Sequence, residues 1–235
     1  MARFDLFFPK LMESEGGYQN DPSDRGNYVC ADRGWAKVIN NQFLCPKTGK
    51  RALSIGTNYG IAAPVLAKFL KRVPSVAQMK ALNLATVKKI YKFRFWDVLK
   101  GDRIADQNVA EIFIDHSINR GRGNATKLLQ KILNGLGSKL VIDGAFGPLS
   151  LAAVNGTNAI DLYNMYRIGR IKDYENLAAL VPRLRKFLNG WINRVLSFPD
   201  FLKRVTTGKK KILVGIFIFG SLTALAIWGI KKLTS

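Results

Sequence analysis

Glu15-Gly16-Gly17-Tyr18-Gln19-Asn20-Asp21-Pro22-Ser23-Asp24-Arg25-Gly26 joins the first helical pattern of the chain to a loop dense in turn formers. Upstream, Phe4, Phe7, Phe8 and Leu11 recur at helical spacing, so residues 4–15 read as an amphipathic helix. Gly16-Gly17 stops it, because glycine tolerates the left-handed conformation found past helix C-termini. Glu15 is then the last helical residue, at the solvent-accessible end. Asn20 to Gly26 reads as a tight polar loop or hairpin. Asp24 lies nine residues beyond Glu15, so one carboxyl ends a helix and the other sits in the following loop. That arrangement can place two carboxylates across a cleft.

Beyond this point the pattern is mostly helical. Residues 27–56 form a Gly- and Asn-containing stretch that holds both cysteines, Cys30 and Cys45. Helical patterning resumes at Ala63–Lys71 and at Ala85–Trp96, where Val87, Ile90, Tyr91 and Phe95-Trp96 make an apolar stripe. Ala105–Asn119 places Val109, Ile112, Phe113 and Ile118 inward. Asn124–Leu136 follows, opened by Asn124 and closed by Gly135. Asp143 to Pro148 is a turn into a short helix, with proline suited to its first position. Asn158–Tyr174 and Pro182–Val195 complete the body. The expected fold class is mainly α, an α+β arrangement of the helical kind with little strand.

The chain has 235 residues, 48% hydrophobic and 23% charged, which is ordinary globular composition and excludes wholesale disorder. Two cysteines are too few for a disulfide scaffold or a four-thiolate zinc site. One histidine, His116, excludes any site that needs two. It reads as a structural residue. No metal and no cofactor are expected. The net charge is +21, and leaving out residues 209–235 removes five lysines and no acids, so the rest still carries +16. Such a surface favours anionic partners. Zinc-finger spacing, an RNA-recognition signature and a basic-zipper pattern are all missing, so nucleic acid is not the expected partner.

Ile212 to Ile230 (ILVGIFIFGSLTALAIWGI) is a run of nineteen residues without a charge. At about 1.5 Å per residue a helix of that length crosses most of a hydrocarbon core about 30 Å thick. Lys209-Lys210-Lys211 stand before it, Lys231-Lys232 after it, and Trp228 lies near its far end. Residues 212–230 are therefore expected to be a transmembrane helix, with 198–211 as a basic linker. The N-terminus has no signal-peptide pattern. The excess of cationic residues before the span places the body on the cytoplasmic side by the positive-inside rule.

The chemistry suggested by Glu15 and Asp24 is glycosidic cleavage. That reaction needs a proton donor to the leaving oxygen, and a second group that stabilises the oxocarbenium-like centre or activates water. Partial burial keeps a donor carboxyl protonated near neutral pH. Tyr18 and Tyr59 are candidates for supplying that environment. Spacing alone is weak, since two surface acids at a helix–loop junction explain it better.

The wider pattern is more specific. Residues 15–26, followed by Thr57-Asn58-Tyr59-Gly60-Ile61, resemble the signature of glycoside hydrolase family 108, the bacterial and phage N-acetylmuramidases with a lysozyme-like fold. The resemblance continues through Ile90–Asp97, Phe113–Gly121 and Asp143–Pro148. The last stretches, together with Phe187–Val195, look like the helical peptidoglycan-binding module that accompanies the family. Coverage is about residues 4–197.

The resemblance implies a lysozyme-like muramidase domain at 1–100 with an insertion at 27–56, and a helical peptidoglycan-binding module at 101–197. Glu15 would be the general acid, cleaving the β-1,4 bond between N-acetylmuramic acid and N-acetylglucosamine. Asp24 would stabilise charge or help activate water, and Thr57 would position that water. Asp21 is a further candidate for the second carboxylate, although turn capping before Pro22 explains it better. Tyr18, Asn58 and Tyr59 are candidates for contact with the sugar, and so are Asp115 and Asn119, four apart on one helix face, for which packing or capping fits equally well.

The chain departs from the family pattern at Asn27 and by the roughly thirty residues before Thr57. That insertion reads equally as a lid, with Trp35 a stacking candidate, or as a tolerated surface loop. Cys30 and Cys45 either staple it, for a gain of about 3 kcal/mol on the entropic model, or stay free thiols. Two other functions stay open: a lytic transglycosylase, and a non-catalytic wall-binding anchor of a phage particle or secretion machine. The expected partners are peptidoglycan, the membrane through the C-terminal helix, and a holin or a secretion or virion component. The expected place is the bacterial inner membrane, with the soluble part acting on the periplasmic wall, in a bacterial or phage-encoded protein.

Overall fold

The structure is a computed structural model, and it describes residues 1–201. These form one compact unit, Met1–Phe201. The expected span at 212–230 and most of the linker lie outside the described residues. Among the described residues, no helix is long and apolar enough to cross a membrane.

Helix α1 runs Phe4–Glu13 and buries Phe4, Phe7, Phe8 and Leu11, as the spacing predicts. Phe4 and Phe7 pack on the buried indole of Trp96, with ring centroids 5.5 and 5.7 Å away. The helix is shorter than expected. Ser14 caps it, its hydroxyl donating to the Leu11 carbonyl at 2.9 Å. Glu15 lies just beyond, its N–H still reaching the Met12 carbonyl at 3.3 Å. Gly16 and Gly17 are not in the left-handed region, so the stop is the serine cap.

The 27–56 insertion holds more strand than its sequence suggested. β1 (Tyr28–Val29) pairs with β4 (Leu53–Ser54), and β2 (Lys37–Ile39) pairs with β3 (Gln42–Leu44), both antiparallel. These strands are two or three residues long, too short to carry a period-2 signal. Cys30 and Cys45 form a disulfide. With Ala36 they make a small core of their own, covered by Tyr28, Phe43 and Ala52. A third pair, β5 (Thr57–Asn58) with β6 (Ile61–Ala62), follows the insertion. Its two-residue turn, Tyr59-Gly60, has both φ angles positive, at 47° and 68°. That is the turn type whose twist suits a tight hairpin.

The remainder is helical: α2 (Ala63–Leu70), α3 (Val76–Lys80), α4 (Leu84–Tyr91), α5 (Gln107–Arg120), α6 (Arg122–Gly135), α7 (Pro148–Gly156), α8 (Ala159–Leu180) and α9 (Leu188–Leu196). α4 passes into a π turn at Lys92–Trp96 rather than running on as α-helix. α8 is longer than expected, and Pro182–Phe187 is a 3-10 turn before α9. α5 is the central helix. It is capped by Asp106 and buried from Val109 to Ser117 on every face, packed by α6 and α8. A helix surrounded on all sides has to bury polar residues too, and here these are Glu111, Asp115, His116 and Ser117. The start of the expected linker belongs to this body, since the Tyr163 hydroxyl donates to the Pro199 carbonyl at 2.8 Å.

Candidate active site

Glu15 and the β5–β6 hairpin meet at Gly60. A Cβ on Gly60 would fall 2.2 Å from Glu15 Oε2 and 2.4 Å from the Tyr91 hydroxyl. Any side chain there would have to push both groups aside and would be strained by the positive φ, so glycine suits the position. Tyr91, buried on α4, donates its hydroxyl to the Tyr59 carbonyl at 3.0 Å and so holds the turn against the carboxyl. On the other side, Arg194 of α9 donates from Nη2 to Glu15 Oε1 at 2.9 Å. The Glu15 side chain keeps 13% of its exposure, so it is confined yet reachable.

Burial pushes the Glu15 carboxyl above its ordinary value. Arg194 pulls the other way, by charge and hydrogen bond, and the negative charge of Asp115 adds to the rise. Burial wins, so the proton is held to a higher pH than on an exposed glutamate. Burial also raises the Tyr91 hydroxyl, helped by the charge of Glu15. That phenol stays a neutral donor.

Asp24 and Thr57 sit at the base of the same hairpin. Asp24 caps the 3-10 turn Arg25–Asn27, its Oδ1 accepting from Gly26 N–H at 2.8 Å. Its Oδ2 accepts from Gln19 Nε2 at 2.7 Å. Gln19 and Thr57 exchange both backbone bonds at 2.9 Å, which ties the Glu15–Asp24 loop to β5. Gly26 lies between the two candidates: a Cβ there would meet Asp24 Oδ1 at 3.1 Å and Thr57 Oγ1 at 3.4 Å. Thr57 Oγ1 is buried and has no hydrogen-bond partner among the described residues. A hydroxyl left unpaired beside a carboxylate is what a bound water would use. The one hairpin thus gathers Glu15 at its tip and Asp24 and Thr57 at its base.

The other candidates divide. Tyr18 lies against Gly56, its hydroxyl bonded to the Ile55 carbonyl at 3.3 Å and its ring 5.1 Å from Lys80 Nζ. Tyr18 and Tyr59 both keep partial exposure. Asn58 does not: it is buried, and its amide donates to the Met79 and Lys80 carbonyls at 2.9 and 3.2 Å. It anchors β5 rather than meeting a ligand. Asp115 is likewise buried, committed to Arg170 and Arg194, so it does not line a groove. Burial pushes Asp115 up, but the two guanidiniums outweigh it and hold the carboxyl below the usual range. Asn119 is exposed, with its amide turned back to the Asp115 carbonyl at 2.9 Å. Asp21 closes the loop by accepting from Ser23 N–H and hydroxyl, both at 2.7 Å. Trp35 is covered by Arg25, whose guanidinium lies 5.2 Å from the ring. His116 is enclosed, 2.9 Å from the Tyr166 hydroxyl.

Sequence reasoning missed Arg194, Gln19, Gly60 and Tyr91. All four stood inside the stretches that resemble the family, and for Gly60 and Tyr91 the positive-φ turn at Tyr59-Gly60 was the available signal. Arg194 has no local signal, because its partner is 179 residues away.

Residues 8–121 match the family model described as glycosyl hydrolase 108. The chain carries a glycosyl hydrolase 108 domain. It is a glycoside hydrolase. Residues 124–196 of this hydrolase match the model described as a predicted peptidoglycan domain. No curated protein matches the chain. A solved structure, that of SagA from Brucella abortus, is similar at a TM-score of 0.56 and 24% identity, covering 85% of this chain and 97% of that one. That likeness carries the fold.

Proposed function

We propose that this hydrolase cleaves the β-1,4 bond between N-acetylmuramic acid and N-acetylglucosamine in peptidoglycan, with Glu15 as general acid. The observation that carries this reading is the Glu15 carboxyl itself: enclosed by the Gly60 turn and Arg194, raised by burial, and still partly open. Glu15 gives its proton to the glycosidic oxygen as the C1–O bond breaks. The developing positive charge at C1 is met by Asp24. A water held at Thr57 Oγ1 adds to C1 and passes its proton to a carboxylate. The products are two shorter glycans, one with a new reducing end. Tyr18 and Tyr59, both partly exposed, offer rings to the sugar faces.

In this reading the segment at 124–196 holds the wall, and the positive body keeps it near anionic polymer. Ile212 to Ile230 tethers the enzyme to the inner membrane. The Cys30–Cys45 disulfide favours an oxidising compartment for the body, on the wall side of that membrane. This outweighs the opposite expectation from the flanking lysines, which is a statistical rule about loops.

The test is mass spectrometry of the glycans released from purified sacculi. Hydrolysis leaves a reducing N-acetylmuramic acid, whereas transglycosylation leaves a 1,6-anhydro end. Reducing ends support the reading, and anhydro ends would make the protein a lytic transglycosylase, with no role for Asp24 and Thr57 in activating water. Binding without release would leave only the anchoring function.

A further inference from the structure

Four side chains of alternating charge run inward from the candidate acid: Glu15, Arg194, Asp115 and Arg170. Arg194 donates to Glu15 Oε1 from Nη2 at 2.9 Å. The same guanidinium donates to Asp115 Oδ1 from Nε at 3.0 Å and from Nη2 at 2.7 Å. Asp115 Oδ2 accepts from Arg170 Nη2, and Arg170 is held in turn by the Tyr174 hydroxyl at 3.2 Å and the Ile112 carbonyl at 3.4 Å. The Asp115 and Arg170 side chains are closed to solvent, while the Glu15–Arg194 end stays about one-eighth exposed. Glu15 and Asp115 lie in the segment matched to the glycosyl hydrolase, and Arg170 and Arg194 in the segment matched to the peptidoglycan domain.

We infer that Arg194 is a positioning residue of the hydrolytic step, locked by Asp115 and Arg170, so that the 124–196 segment completes the active site as well as holding the wall. The inference rests on Glu15 being the acid. Arg194 fixes Oε1 while Gly60 and the Tyr91 hydroxyl confine Oε2, which leaves the carboxyl one arrangement. A guanidinium can grip two carboxylates at once through a planar fork, which a lysine cannot reproduce. When Glu15 gives up its proton, Arg194 also meets the carboxylate that forms, a preset charge placed where negative charge develops. A buried ion pair is a weak device for stability alone. Its open end at the acid is what points to chemistry.

The experiment uses the full chain with Arg194→Gln, Arg194→Lys and Glu15→Gln. Turnover is measured on a soluble uncross-linked oligomer of alternating N-acetylglucosamine and N-acetylmuramic acid, and wall binding by co-sedimentation with sacculi. For Arg194→Gln, kcat is expected to fall about 100-fold with KM little changed and sacculus binding kept. The alkaline limb of kcat moves to higher pH, because the charge favouring the ionised carboxyl is gone. Arg194→Lys recovers part, to a loss of about tenfold. Wild-type kcat and pH limb in Arg194→Gln would overturn the inference, as would a loss confined to sacculus binding. Where Arg194→Gln melts below the assay temperature, Arg194→Lys decides: kcat equal to wild type overturns it. Turnover by Glu15→Gln would instead overturn the assignment of the acid.

Discussion

Gly60→Ala places a methyl group directly against the Glu15 carboxyl. The backbone there has φ of 68°, where a side chain costs about 1–2 kcal/mol. The new carbon would stand 2.2 Å from Glu15 Oε2 and 2.4 Å from the Tyr91 hydroxyl. Both atoms end flexible side chains, so they swing away instead of breaking the fold. Swinging costs one of two hydrogen bonds, Glu15 to Arg194 or Tyr91 to the Tyr59 carbonyl, at about 1 kcal/mol. The total is roughly 2–3 kcal/mol, a fall in Tm of roughly 5–10 °C for a unit of this size. Catalysis suffers more, because a carboxyl displaced by about 1 Å loses on the order of 100-fold in rate. Initial rates of glycan cleavage and a thermal melt, taken on the same sample, give the two numbers. A variant that melts earlier yet turns over within about threefold of wild type would refute the reasoning, since a displaced acid cannot keep its rate.

Thr57→Val removes a buried hydroxyl that has no partner among the described residues, so stability should hold or rise by about 1 kcal/mol while kcat falls; Thr57→Ser should keep activity, and steady-state kinetics beside a melt separate the two. Reducing Cys30–Cys45 should lower stability by about 3 kcal/mol, read as the difference in Tm with and without dithiothreitol, and Cys30→Ser should abolish that difference. Because Glu15 titrates above its unfolded value of 4.5, the folded state holds the proton longer, so its contribution to stability is full below that pH and is lost as pH rises through the folded pKa; a Glu15→Gln melt series should flatten over that window. His116, buried and pushed down to about 4 although Asp173 lies 3.5 Å from its Nε2, binds protons more readily in the unfolded chain. Stability should therefore fall by a few kcal/mol as pH drops from about 6.5 to about 4, a slope that urea titrations at stepped pH would measure and His116→Gln would remove.

Sequence reading went furthest where the geometry is local. The candidates Glu15, Asp24 and Thr57 lie close to one short hairpin, whose Tyr59-Gly60 turn has both φ angles positive. The apolar stripe of α1 was equally plain. What escaped was long-range. Asp115, four residues from Asn119 on one helix face, fitted a groove residue or a packed one equally; α5 is wrapped on every side, so its acids find buried cations instead of water. Those cations, Arg170 and Arg194, come from helices 55 and 79 residues downstream. Asn58 stood as a sugar-contact candidate within the family-like motif, yet two backbone carbonyls of the α3 end take up its amide. The insertion hid its strands by their brevity, and the disulfide between Cys30 and Cys45 is a matter of proximity that spacing alone left open.

The most direct trial of the central claim is Glu15→Gln in the full chain, scored for release of soluble glycan from sacculi and for co-sedimentation with them. Glutamine keeps the size of the side chain and its bond to Arg194 but has no proton to give. The account predicts that glycan release collapses by several orders of magnitude while sacculus binding persists. Glycan release at the wild-type rate would contradict it.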